Sequence, residues 1–206
     1  MATSTLKIDL IVPLSLCVFG VNGIVKYTLP RIIQTLIQRK NISGEMMVVL
    51  KNYIFIINQM SMLILLSILI NLMMPVMIYV YVDISGFFIE FVLMYVFTNL
   101  ILNYIIYQRL NIRRLENKNS YKKLFTLGYD LKSIKKYSKK EIFLFYLTLF
   151  MCISIYLLTL SISLIIKEVL PLKALFICLA YIIPMTVMYL ITDYKEGRSV
   201  LSWKKS

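Results

Sequence analysis

Residues 53–82, YIFIINQMSMLILLSILINLMMPVMIYVYV, contain no charged side chain. As a helix this run is about 45 Å long, more than the ~30 Å hydrocarbon core of a bilayer. In water it would need covering on every side, whereas in lipid it needs none, so it is read as a transmembrane helix. Residues 142–166, IFLFYLTLFMCISIYLLTLSISLII, are also charge-free, and residues 87–107 hold only Glu90, near their start. Residues 174–192 make a fourth span, with a kink expected at Pro184. The fold class that follows is an all-α integral membrane protein of four transmembrane helices. A composition of 60% hydrophobic residues agrees, since soluble domains hold about 45–50%.

The charge has a place in this scheme. Lys and Arg number 23 against 10 Asp and Glu, a net +13, and the basic residues fall between the apolar runs. The densest group is the loop from Arg109 to Lys140, in which Glu116 and Asp130 are the acids. By the positive-inside rule this loop is cytoplasmic. The DISG turn at Asp83 to Gly86 and the Lys167 to Lys173 turn are then outside, and the tail DYKEGRSVLSWKKS is inside, as in a multi-pass protein of the cell membrane. Membrane topology accounts for the charge, and no nucleic-acid partner is expected.

Residues 10–25, LIVPLSLCVFGVNGIV, are apolar but short, and Pro13, Gly20, Asn22 and Gly23 interrupt them. Crossing, re-entering and lying flat all remain open for this segment. Asp9 follows Lys7 and no small-x-small site follows the run, which argues against a cleaved secretory signal. In PRIIQTLIQRK, Leu29, Ile32, Ile33, Leu36 and Ile37 recur at helical spacing opposite Arg31, Gln34, Gln38 and Arg39. Pro30 suits a first helical position. An interfacial amphipathic helix on the cytoplasmic face is predicted. The chain divides into an N-terminal part, 1–51, and a four-helix part, 52–206, with the basic loop at 108–141.

Chemistry is sparse. Histidine is absent, which removes the commonest general base and metal ligand together. Cys17, Cys152 and Cys178 lie far apart inside apolar runs and read as reduced packing residues. No Gly-x-x-x-x-Gly-Lys phosphate loop is present. We therefore expect no enzyme, no cofactor and no metal site.

Within the spans the polar residues are Asn58, Gln59 and Asn71 in the first and Asn99 and Asn103 in the second. Asn99 and Asn103 are four apart and share a helix face. Asn58, Asn71, Asn99 and Asn103 are candidates for an intramembrane polar path, since polar groups in hydrocarbon turn inward. Simple interhelical hydrogen bonding, typically about 1 kcal/mol or less per contact, is the favoured alternative. Asp83 and Glu90 fall near the outer interface, where solvated carboxylates need no special role.

The stretch from Tyr121 to Leu147 has more structure than a solubilising loop needs. A helical turn with Leu124, Phe125 and Leu127 ends at Gly128, a residue able to take the left-handed conformation that closes helices. Asp130 can cap the next helix, which runs through Ile134 into the third span. Such a corner suits docking, although a basic loop also holds anionic lipid heads, at about 1 kcal/mol per nearby basic residue.

With Tyr121, Leu124, Leu127, Gly128, Tyr129, Asp130 and Ile134 in this order, residues 30–192 resemble the FtsX/MacB-type permease domain of ABC transporters. They are similar above all to bacitracin-resistance-type and bacteriocin-associated permeases. The resemblance implies that the corner couples to a separate ABC ATPase subunit and that the long helix Leu131 to Ile166 transmits its movement. It also implies pairing with a second permease chain, identical or different, and a peptide or lipid-like substrate, as in peptide antibiotic export or immunity. The family's large extracytoplasmic domain has only DISG in its place here. The rival expectation is a stand-alone bacteriocin immunity protein that acts within the bilayer without an ATPase.

Overall fold

The computed structural model of the chain describes residues 20, 23–38, 44–81, 88–116, 126, 128–166 and 178–202. Among them the backbone is almost wholly helical and no strand occurs. The long helices are α2 (Gly44–Tyr81), α3 (Phe88–Glu116), α4 (Leu131–Ile166) and α5 (Ile182–Ser202). They are preceded by a π-helical turn, Ile24–Thr28, that runs straight into α1 (Leu29–Gln38).

Three of these helices, over Met46–Pro75, Ile89–Arg113 and Lys132–Thr159, are long and apolar enough to cross a membrane. The expected fourth span differs. Residues 174–177 lie outside the described residues, and the apolar part of α5 ends at Thr192, before Asp193 and Lys195. The irregularity expected at Pro184 takes the form of a 3-10 turn, Leu179–Tyr181, leading into α5. Pro184 then stands in the first turn of the α-helix, where a missing N–H is tolerated.

The second span runs past its expected end to Glu116, and α4 begins at Leu131 as expected, so most of the Arg109 to Lys140 loop is helix that projects beyond the apolar run. The hydrocarbon fixes where side chains must be apolar, not where a helix must stop. The tail likewise stays helical to Ser202. The DISG turn, the Lys167 to Lys173 turn and residues 10–19 lie outside the described residues.

α1 has the two faces predicted. Pro30 and Ile33 are buried and Leu29 and Ile37 pack at the core edge, while Arg31, Gln34 and Gln38 are exposed. The apolar stripe is wider than the core covers, and Ile32 and Leu36 remain exposed. Pro30 does not open a free helix end, because the π-helical turn precedes it.

α2 packs on α4, α4 on α5, α5 on α3 and α3 on α2, with the α2 and α4 contact the most extensive, so the four helices close a ring in the order α2, α4, α5, α3. Contacts between the start of α2, the end of α3, the start of α4 and the second half of α5 put these at one end of the bundle. That end carries the basic residues. The core runs through Ile57, Ile64, Ile68 and Leu72 of α2, Ile106 of α3 and Phe145, Leu149 and Leu157 of α4. The outer faces are apolar too: Ile89, Leu93, Phe97 and Ile101 of α3 form an exposed stripe at helical spacing. A face of that kind belongs against lipid.

Leu149→Ala is expected to destabilise the chain by about 2–4 kcal/mol, whereas Met62→Ala on the outer face shifts it by no more than about 0.5 kcal/mol. Unfolding of the two variants in detergent micelles checks this difference.

Candidate functional site

Three polar features stand out. The corner ahead of α4 is the first. Gly128 has φ +90°, the left-handed region in which a Cβ is strained. Nothing lies within 4 Å of where that Cβ would be, so backbone geometry and not space demands glycine. Asp130 is at the cap position of α4, and its carbonyl accepts from the Ile134 N–H at 3.1 Å. Gly128 and Asp130 are exposed and Tyr129 is half-buried, its ring meeting that of Tyr137 edge-on at 6.5 Å. Ile134 is 0% exposed; it anchors the start of α4 in the bundle and presents no surface to a partner. Tyr121, Leu124 and Leu127 lie outside the described residues.

The second feature lies within the membrane span. Asn71, Asn99 and Asn103 are all buried. Asn71 Nδ2 donates to Asn99 Oδ1 at 3.1 Å, joining α2 to α3. Tyr95 donates its hydroxyl to Asn71 Oδ1 and also reaches the Cys178 carbonyl at 3.2 Å, just ahead of the 3-10 turn. One hydroxyl proton serves both acceptors. Pro75, a turn after Asn71, has no N–H for the Asn71 carbonyl, so the node sits where the α2 backbone ladder is interrupted. Asn99 and Asn103 also donate to the carbonyls one turn back, at 3.1 and 2.8 Å. One turn toward the basic end, the buried Ser67 Oγ and Asn103 Oδ1 have no hydrogen-bond partner among the described residues. Asn58 is not part of this node. It is exposed and about 20 Å along α2 from Asn71.

The third feature was not apparent from the sequence. At the basic end Asn52 Nδ2 donates to Glu141 Oε1 at 2.8 Å, and Arg113 Nη2 donates to the Asn52 carbonyl at 2.8 Å. Arg113 is 4% and Glu141 3% exposed, so opposite charges from α3 and α4 are buried on one residue of α2. Arg113 also stacks on the Phe55 ring at 5.1 Å. Nearby, Lys139 pairs with Asp193 at 2.5 Å, Lys195 donates to the Tyr107 hydroxyl, and Tyr53 bonds Thr148. The available signal was Glu141, an acid that follows Lys139 and Lys140 at the threshold of a span. An acid there has to be solvated or paired.

Among the described residues no group of His, Cys, Asp and Glu could hold a metal ion. Comparison with protein-family models, curated proteins and solved structures gave no match for this chain.

Removing one of two buried opposite charges that meet on Asn52 strands the other. Arg113→Met is expected to cost about 3–5 kcal/mol, and the exposed Arg109→Gln no more than about 0.5 kcal/mol, read from unfolding in micelles. A double-mutant cycle of Asn71→Leu and Asn99→Leu should return a coupling of about 0.6–1.7 kcal/mol. Zero coupling would separate the two residues.

Proposed function

We propose that this chain is the membrane subunit of an ABC transporter. It works with a separate ATPase and a second permease chain, identical or different, and moves or extracts a peptide or lipid-like molecule. The observation that carries the reading is the continuity of α4. This helix of 36 residues, about 54 Å long, starts at an exposed glycine corner and continues through a candidate span. A displacement at such a corner is delivered to the bilayer interior without an intervening hinge. The buried Arg113, Asn52 and Glu141 group lies about 15 Å along α4 from its start and fastens it to α2 and α3, as a pivot does. Beyond the pivot lies the Asn71 and Asn99 node, with unpartnered polar atoms on α2 and α3.

In this reading the bundle has four spans, the basic end is cytoplasmic and the C-terminus is inside. Peptide antibiotic export or immunity is the favoured role, resting on the resemblance of the corner. A stand-alone immunity protein would use the apolar faces and the basic end, but would have no need of the corner and the long helix.

Purification of the full chain from native membranes should bring an ABC ATPase with it. Gly128→Val, which strains the backbone by about 1–2 kcal/mol, and Leu127→Asp should each reduce the associated ATPase several-fold. Undiminished association in both would refute docking at the corner.

A further inference from the structure

One face of α4 changes character along its length. Lys132, Lys135, Lys136, Lys139 and Lys140 recur in the i, i+3, i+4, i+7, i+8 pattern, so they form a single stripe. Phe143, Leu147 and Phe150 continue the same stripe toward the membrane interior. The stripe faces α5 across a groove in two parts. The upper part is an open cavity of about 400 Å³, lined by the five lysines and closed by Phe143, Tyr189 and Asp193. The lower part, about 160 Å³, shares Phe143 and Tyr189 as its rim and is otherwise apolar, with Ile182, Met185 and Thr186 on its α5 wall. The Phe143 and Tyr189 rings meet edge-on at 6.3 Å where the two parts join.

Five like charges on one stripe repel at every interval of three or four residues. Within the cavity the carboxylate is that of Asp193, which pairs with Lys139. The other four lysines lack a counter-charge in its lining. A free inorganic anion would answer the charge and leave the apolar half unused. A neutral lipid would do the reverse. From Lys140 to Phe150 the apolar stretch is about 15 Å long, half the thickness of the hydrocarbon core and thus one leaflet. Phe143, Leu147 and Ile183 are exposed alongside it, open to chains from the bilayer.

From this geometry we infer that the groove between α4 and α5 is a binding site for an anionic phospholipid. The phosphate headgroup is held by the lysine stripe and one acyl chain lies in the apolar cleft below Phe143 and Tyr189. Basic pockets between membrane helices hold such headgroups. The site rests on the reading of α4 as a membrane-spanning helix, not on any ATPase. It lies on α4 and α5, apart from the Gly128 corner.

Native mass spectrometry of the purified full chain in detergent tests it with three probes: dioleoyl phosphatidylglycerol, dioleoyl phosphatidylcholine and glycerol phosphate. Phosphatidylglycerol should bind about tenfold or more tightly than phosphatidylcholine, and glycerol phosphate should not displace it. Lys132→Gln with Lys136→Gln, two exposed positions outside the Asp193 pair, should weaken phosphatidylglycerol about tenfold or more. The corresponding Lys→Arg pair should keep it. Thr186→Trp, which fills the apolar half, should weaken the two-chain lipid as well. Equal binding of the two lipids would overturn the site, as would binding unchanged in the Gln pair and in Thr186→Trp. Displacement by glycerol phosphate would reduce it to a simple anion site and overturn the lipid. Because the chain is tested alone, loss of an ATPase partner cannot imitate any of these results.

Discussion

Hydrocarbon offers no hydrogen bonds, so polar groups in the spans are driven to find partners inside the protein. The backbone does so by being helical. The side chains do so largely by turning back on their own helix: Thr98, Thr159 and Thr186 each donate to the carbonyl one turn earlier, as do Asn99 and Asn103. Residues satisfied in this way can face lipid, as Thr98 and Thr159 do from the sides of α3 and α4. Where a side chain bonds across helices instead, as Asn71 does with Asn99, the bond fixes the register of two helices that apolar packing alone would let slide.

The same constraint separates the bundle into levels. Among the described residues of the interior the polar groups are neutral amides and hydroxyls, gathered around Asn71 and Tyr95 and joined between Ser154 and Tyr181. Charges begin at the very ends of the apolar runs, where Lys139 and Asp193, Lys195 and Tyr107, and the Arg113, Asn52 and Glu141 group are found. Tyr53, Tyr107, Tyr146 and Tyr189 sit at this transition, as amphipathic rings do at a membrane interface. The Arg113 and Glu141 charges are buried there, whereas the Lys139 and Asp193 pair stays about a third exposed. Both arrangements are tolerable next to a polar headgroup region.

Much of this was legible in the residues. Runs with little or no charge gave three of the four expected spans, the spacing of Ile33 and Ile37 gave α1, and the Gly128 and Asp130 pattern gave both the left-handed corner and a helix from Leu131 to Ile166. The Asn99 and Asn103 spacing placed both on a buried face. What stayed hidden needs three dimensions. Neither Asn52 nor Arg113 differs in sequence from any other polar residue near a span end, and only packing brings them to Glu141. Asn58 and Asn71 look alike in the sequence, but their angular positions on α2 turn one outward and one inward. The extension of α3 to Glu116 was missed for another reason: hydropathy reports the bilayer boundary, and helices obey hydrogen bonding, which continues past it.

In the transporter reading proposed above, a nucleotide-binding partner drives movement at the Gly128 corner from outside the chain. The most direct measurement is hydrogen exchange of the segment from Gly128 to Glu141 in native membranes, with and without ATP trapped by vanadate. Slower exchange in the trapped state, centred on the first turns of α4, is the predicted result. Exchange identical in the two states, while a neighbouring ATPase is demonstrably trapped, would contradict it.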